Sequence, residues 1–307
     1  MKKISLYLRV LRKAFSGFIE DNAFKLSASL SYYTIFAMGP LLLIIMSLAG
    51  IFFGREAVQG KIYGQIKGLV GNEAAVQVQS IIQNISLSQH GTVGAIIGFI
   101  VLIIGATGVF TEIQDSINFI WSVKAKPKKG WLKFLINRLI SFSLVVSMGF
   151  ILLVSLTVNA LMDILSDKLL RFFKDYTIYL FYVINVVIIF VIITGLFTVI
   201  FKVLPDAKIK WREALVGAGF TAMLFLIGKF LIGYYLGRSD MGITFGAAAS
   251  IVLILSWVYY SSLILYFGAE FTKVYAIETG SRIVPNDTAV FIIKKEAKEI
   301  PTSYLDT

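Results

Sequence analysis

Six uninterrupted apolar stretches constrain this chain more than any other feature: Leu26 to Gly54, Gly91 to Thr111, Leu139 to Met162, Tyr176 to Phe201, Ala214 to Leu236 and Met241 to Ala269. Lys229 is the only charge inside them. At about 1.5 Å of rise per residue each stretch reaches roughly 30 Å or more as a helix, the thickness of a bilayer's hydrocarbon core. The 307 residues are 57% hydrophobic and only 15% charged, where an ordinary soluble domain carries about 25% charged residues. A soluble globular enzyme is excluded. The expected fold is all-α, an integral membrane bundle of six transmembrane helices with additional interfacial helices.

The placement of basic residues sets the expected orientation. Lys and Arg number six before the first span, six between the second and third, four between the fourth and fifth, and five after the sixth. The other three connections hold three, three and one. Cytoplasmic segments carry the excess of positive charge, so both termini are expected inside. The same rule accounts for the net charge of +11 without nucleic acid as a partner. Three regions follow: a cytoplasmic amphipathic segment 1–25, a membrane domain 26–270 whose external connection 55–90 lies on the outer surface, and a cytoplasmic tail 271–307. In the first region Ile4, Leu8, Leu11, Phe15 and Phe18 share a helical face, which suggests an interfacial helix drawn to anionic headgroups. No removable signal peptide is expected at the N-terminus. With no cysteine and one histidine, His90, neither metal nor cofactor is expected.

Polar groups inside apolar spans are costly, and they mark candidate sites. On a helical wheel Gly94, Gly98, Gly105, Gly108, Glu112 and Asp115 fall within an arc of about 100°, so the glycine face that packs inward carries the two carboxylates with it. Glu112 and Asp115 are thus candidates for substrate path or proton coupling; the competing reading leaves them in the headgroup zone near Trp121. Glu270, at the end of the last span, is a third acid at similar depth. Ser27, Ser31, Thr34 and Asn118 are candidate polar lining. Lys229 is either a snorkelling lysine or a partner for an anionic group inside the bundle. Pro40 is a candidate hinge. Gly246 and Gly268 share a stripe with Ser250, Trp257 and Ser261 that reads as helix packing.

Short motifs add a likeness. Leu26-Ser27-Ala28-Ser29-Leu30-Ser31-Tyr32-Tyr33 followed by Pro40, then Asn118-Phe119-Ile120-Trp121, Leu204-Pro205-Asp206, Trp211, Gly217-Ala218, Trp257-Val258-Tyr259-Tyr260 and Gly268-Ala269-Glu270 stand in this order. Their ordered combination on six spans resembles the YihY/virulence factor BrkB family of bacterial inner-membrane proteins, once labelled ribonuclease BN. A tyrosine-glycine pair of that family stands here as Phe245-Gly246. The resemblance implies a multi-pass protein of the bacterial cytoplasmic membrane whose relatives are treated as candidate transporters.

The sequence therefore leads to transport or flipping of a small or amphiphilic, anionic lipid-like substrate. With no GxxxxGK[ST] loop, ATP drive within this chain is not expected. Membrane lipids and a homo-oligomer are the expected partners. The alternative is a non-transporting envelope scaffold or assembly protein. An enzymatic role is not expected, and RNA cleavage would require an acid–base or metal constellation that this residue inventory does not offer.

Overall fold

The computed structural model describes residues 2–37, 76, 79, 108–126, 176–237 and 249–294. Pro40, Gly94, Gly98, Gly105, Gly246 and the third expected span lie outside these residues. In chain order the described elements are α1 (Lys2–Glu20), β1 (Val123–Ala125), α2 (Tyr176–Val203), β2 (Ala207–Lys208), α3 (Trp211–Gly237), α4 (Ala249–Glu278), β3 (Val284–Pro285) and β4 (Ala289–Phe291). Residues 23–37 and 108–120 are helical as well.

The fold is all-α. Three helices among the described residues are long and apolar enough to cross a membrane, with windows Val186–Val203, Trp211–Tyr235 and Ile251–Glu278. Valine and isoleucine fill α2 although they are indifferent helix formers in water. In hydrocarbon every backbone N–H and C=O must be satisfied internally, so the helix forms whatever the side chains prefer.

α3 and α4 run antiparallel and close together because glycines let them. A Cβ on Gly217 would run into Thr272, and one on Gly268 would run into Thr221. Each threonine turns its hydroxyl back to its own helix, Thr221 donating to the Gly217 carbonyl at 2.7 Å and Thr272 to the Gly268 carbonyl at 2.6 Å. Each hydroxyl is thereby satisfied although its oxygen is the threonine atom nearest the facing glycine. Phe220 stacks on Phe271 beside this clasp, and further along the pair Gly228 abuts Tyr260 and Ile264.

α1 docks on the end of α4, burying Val10 and Ala14 against Phe271, Val274 and Tyr275. The face expected to be uniformly apolar is therefore divided. Phe18 turns into the protein, while Leu8, Phe15 and Ile19 remain outward. Arg9 and Lys13 both reach Glu278 of α4. α1 stops where Asn22 takes a left-handed conformation, φ 53°, and the chain re-enters a helix at residue 23. Asparagine tolerates that conformation better than most residues.

α4 continues past the expected end of the last span at Ala269 to Glu278. It closes with Gly280 at φ 79°, Gly280 N–H donating to Ile277 O and Ser281 N–H to Ala276 O, a Schellman ending. The chain then returns across the helix ends as two antiparallel ladders, β3 on β2 and β4 on β1. Asn286 N–H donates to Asp206 O and Ser281 Oγ to Glu213 Oε1. The residues expected to form a tail thus tie the helix ends to one another.

Candidate functional site

The polar groups gather at the end of the bundle where α1, residues 108–126, the α2–α3 turn and the end of α4 meet. At its centre Glu270 has no solvent exposure. Gly17 of α1 lies so close that a Cβ there would stand 2.9 Å from Glu270 Oε2. The Glu270 carboxyl faces that of Asp21, the first residue after α1. Lys273, one turn on along α4, donates to both Glu270 oxygens at 3.2 Å and stands 3.8 Å from Asp21.

Lys294, just beyond β4, closes the group. Its Nζ donates to Asp21 Oδ1 at 2.6 Å, to Oδ2 at 2.5 Å and to the Ile120 carbonyl at 3.3 Å, and it sits 4.5 Å from the centre of the Phe119 ring. Burial holds the Lys294 ammonium below the ordinary lysine value, with the Asp21 carboxylate pulling the other way. Two acids and two lysines thus form one network drawn from three separate parts of the chain. Charges placed like this tolerate desolvation only while they compensate one another.

Beside it lies a second polar knot. Asn118 donates through its side-chain amide to Asp206 Oδ2 at 2.8 Å and accepts from the Asp206 backbone N–H at 2.8 Å, while Gln114 donates to the same Oδ2 at 3.1 Å. Asp206 is buried. Trp121 is buried too, and its indole N–H donates to the Ala269 carbonyl at 3.0 Å, fixing the end of the 108–120 helix to α4.

The structure brings some of the sequence candidates together and separates others. Glu270 lies in the acid–lysine network, whereas Glu112 is half-buried and faces Tyr266 of α4, and Asp115 is exposed. Ser31 and Thr34 donate to the carbonyls of Ser27 and Leu30 within their own helix. Ser27 Oγ is buried and makes no hydrogen bond. Asn118 clamps Asp206. Gly108 packs against Tyr33, with 3.3 Å from a built Cβ to the ring, and Gly268 against Thr221. Lys229 is half-buried on α3, next to the Gly228 that abuts Tyr260. Tyr260 is ten residues from Glu270, about 15 Å along α4, so Lys229 stands well away from the acids.

Sequence reasoning missed Asp21, Lys273, Lys294 and Tyr266. The signal for Asp21 was present in the Asp-Asn pair that interrupts two helical patterns; Lys294 had none, because it acts through a strand pairing more than 160 residues away in sequence. Among the described residues no three His, Cys, Asp or Glu side chains are grouped to hold a metal ion.

The short motifs that carried the family likeness meet at this same end: Asn118 to Trp121, Leu204 to Asp206 and Gly268 to Glu270 touch one another through the bonds just described. Residues 14–290 match the family described as Virulence factor BrkB. A UPF0761 membrane protein of Azotobacter vinelandii is 28% identical over 266 residues, 84% of this chain and 61% of the relative. Others from Saccharophagus degradans and Stenotrophomonas maltophilia are 26% identical over 275 residues and 28% over 264, covering 87% and 83% of this chain and 60% and 58% of the relatives. The chain spans about three fifths of the length of these curated relatives. No solved structure matches it. With nearly its whole length matched, this chain belongs to the virulence factor BrkB family of membrane proteins.

Proposed function

We propose that the protein moves a small or amphiphilic, anionic lipid-like substrate across the bacterial cytoplasmic membrane, with both termini in the cytoplasm and without ATP drive or a catalytic step of its own. Proton exchange at the Glu270–Asp21 pair couples the movement. The observation that carries this reading is a carboxyl with no solvent exposure held against a second carboxyl, with two lysines joined to the pair. Such a group can change charge only together with its surroundings, which suits an element that alternates between two states.

The test is translocation of headgroup-labelled lipid in vesicles containing the purified protein, with and without a pH gradient. Glu270→Gln and Asp21→Asn, both still folded, should abolish the dependence on the gradient; unchanged gradient-driven movement in both would remove these acids from the mechanism. A non-transporting scaffold is the second reading, supported by the outward strip of Leu8, Phe15 and Ile19 on α1. It is favoured if no lipid class moves and if Gly94→Leu with Gly98→Leu dissolves a detergent-stable oligomer while leaving the monomer folded.

A further inference from the structure

Lys294 ties together two chain reversals, each of which carries a left-handed residue other than glycine. Its Nζ holds the Asp21 carboxylate on one side and the Ile120 carbonyl on the other. Asn22 follows the first contact at φ 53°, and Ser122 stands two residues beyond the second at φ 57°. Serine rarely adopts that conformation and keeps it only where the surroundings impose it. Here the returning chain does so, because Ile292 N–H donates to the Ser122 carbonyl at 2.9 Å. That returning chain is held lightly. Its root is firm, with Ser281 and Ile283 buried, but further on Val290, Phe291 and Ile293 remain outward. Main-chain bonds to Asp206 and to residues 122–126, together with Lys294, secure the rest. A segment with so little buried apolar surface opens at low free energy.

We infer that residues 284–294 are a latch on the end of the bundle, closed while Asp21 carries its charge and released when Asp21 is neutral. Among the described residues, the charged groups facing Asp21 are Glu270 and Lys273 from α4 and Lys294 from the latch itself. The 108–120 helix brings the uncharged Ile120 carbonyl and Phe119 ring to Lys294, and α1 brings Gly17 to Glu270. One proton on the facing carboxyls leaves one negative charge, which Asp21 keeps for Lys294. A second proton leaves a half-buried ammonium without its counter-ion, a state the short ladder is poorly equipped to hold. The latch therefore opens as pH falls. A proton passing from Glu270 to Asp21 opens it too, since it is Asp21 that Lys294 holds. In transport the latch serves as the cytoplasmic gate; the gate rests on the transport reading, whereas the latch does not.

Hydrogen–deuterium exchange of the full chain in lipid nanodiscs tests the latch. The amides of Lys126, Asn286 and Ile292 report it, and those of 217–221 and 268–272 report the threonine–glycine clasp. After correction for intrinsic exchange, the latch amides should exchange several-fold faster at mildly acidic than at neutral pH while the clasp stays protected. Asp21→Asn should open the latch at neutral pH and remove its response to acid. Glu270→Gln, which leaves Asp21 charged, should keep it closed there. Latch amides indifferent to acid in the wild-type protein, equal protection in Asp21→Asn and its parent, or a clasp that loosens in step would each overturn the latch. For the gate, a chain without cysteine admits a single engineered disulfide. Ala125 and Ala289 are directly opposed on β1 and β4, beside the Lys126–Thr288 bond, and such pairs stand about 4.5 Å apart at Cα, within reach of a disulfide. Oxidised Ala125→Cys with Ala289→Cys should stop gradient-driven lipid movement and reduction should restore it; undiminished movement in the oxidised form would overturn the gate. A wild-type protein that moves no lipid would count against transport alone, since exchange still decides the latch.

Discussion

Two side chains at the polar end show how far a single group depends on its partners. Asn118 makes two bonds to Asp206, one to the carboxylate and one to the backbone. Asn118→Ala should therefore cost about 2–4 kcal/mol, the sum of one charged and one neutral hydrogen bond in a buried site, read as a lower midpoint of thermal unfolding in detergent. An isosteric Asn118→Asp should be worse still, because it sets a second carboxylate against the first. Lys294 differs, since even half-burying its ammonium is costly and its value lies in compensating Asp21. Lys294→Met should cost about 1–3 kcal/mol, and adding Asp21→Asn should recover part of that loss. If the double variant is less stable than the sum of the singles predicts, the compensation account fails.

At the scale of elements, the α3–α4 pair was half legible. The stripe containing Gly268 announced packing, yet Gly217 was noted only as part of a motif, and nothing in the spacing said that Thr221 and Thr272 would each cover the opposite glycine. That pairing depends on the register between two helices, which a single helix's periodicity cannot reveal. Gly217→Ala and Gly268→Ala should each destabilise by about 1–3 kcal/mol, because the added carbon meets a threonine already fixed to its own helix. Thr221→Ala should relieve Gly268→Ala in a double-mutant cycle. Gly195→Ala and Gly219→Ala, where nothing lies within 4 Å of the new carbon, should stay within about 0.5 kcal/mol of the parent or gain stability. α1 was legible as an amphipathic helix but not as one with two apolar faces. Only its docking on α4 distinguishes the face made by Val10 and Ala14 from the one made by Leu8 and Phe15.

For the whole molecule, apolar run length gave the all-α membrane fold and placed α2 and α3 to within three residues at either end, because hydrocarbon leaves few alternatives to a helix. The chain beyond Glu278 was not legible. β1 to β4 are two or three residues each, too short for a period-2 pattern, and they form only because the helix ends bring them within reach. Removing residues 281–307 takes away both ladders, the Ser281–Glu213 bond and Lys294 together. The shortened protein should still insert in the membrane, but limited proteolysis should cut it much faster between Glu20 and Phe24 and after Trp121; an unchanged cleavage pattern would mean the ladders do not hold that end closed. The threonine–glycine clasp also has a kinematic consequence. Each helix carries both a ridge and the notch that receives its neighbour's ridge, so a slip of one turn in either direction, about 5.4 Å, would leave threonine opposed to a side chain instead of a notch. The register of α3 on α4 is thereby locked, so the two helices act as one strut, and in the proposed transport reading a stroke would leave this pair intact.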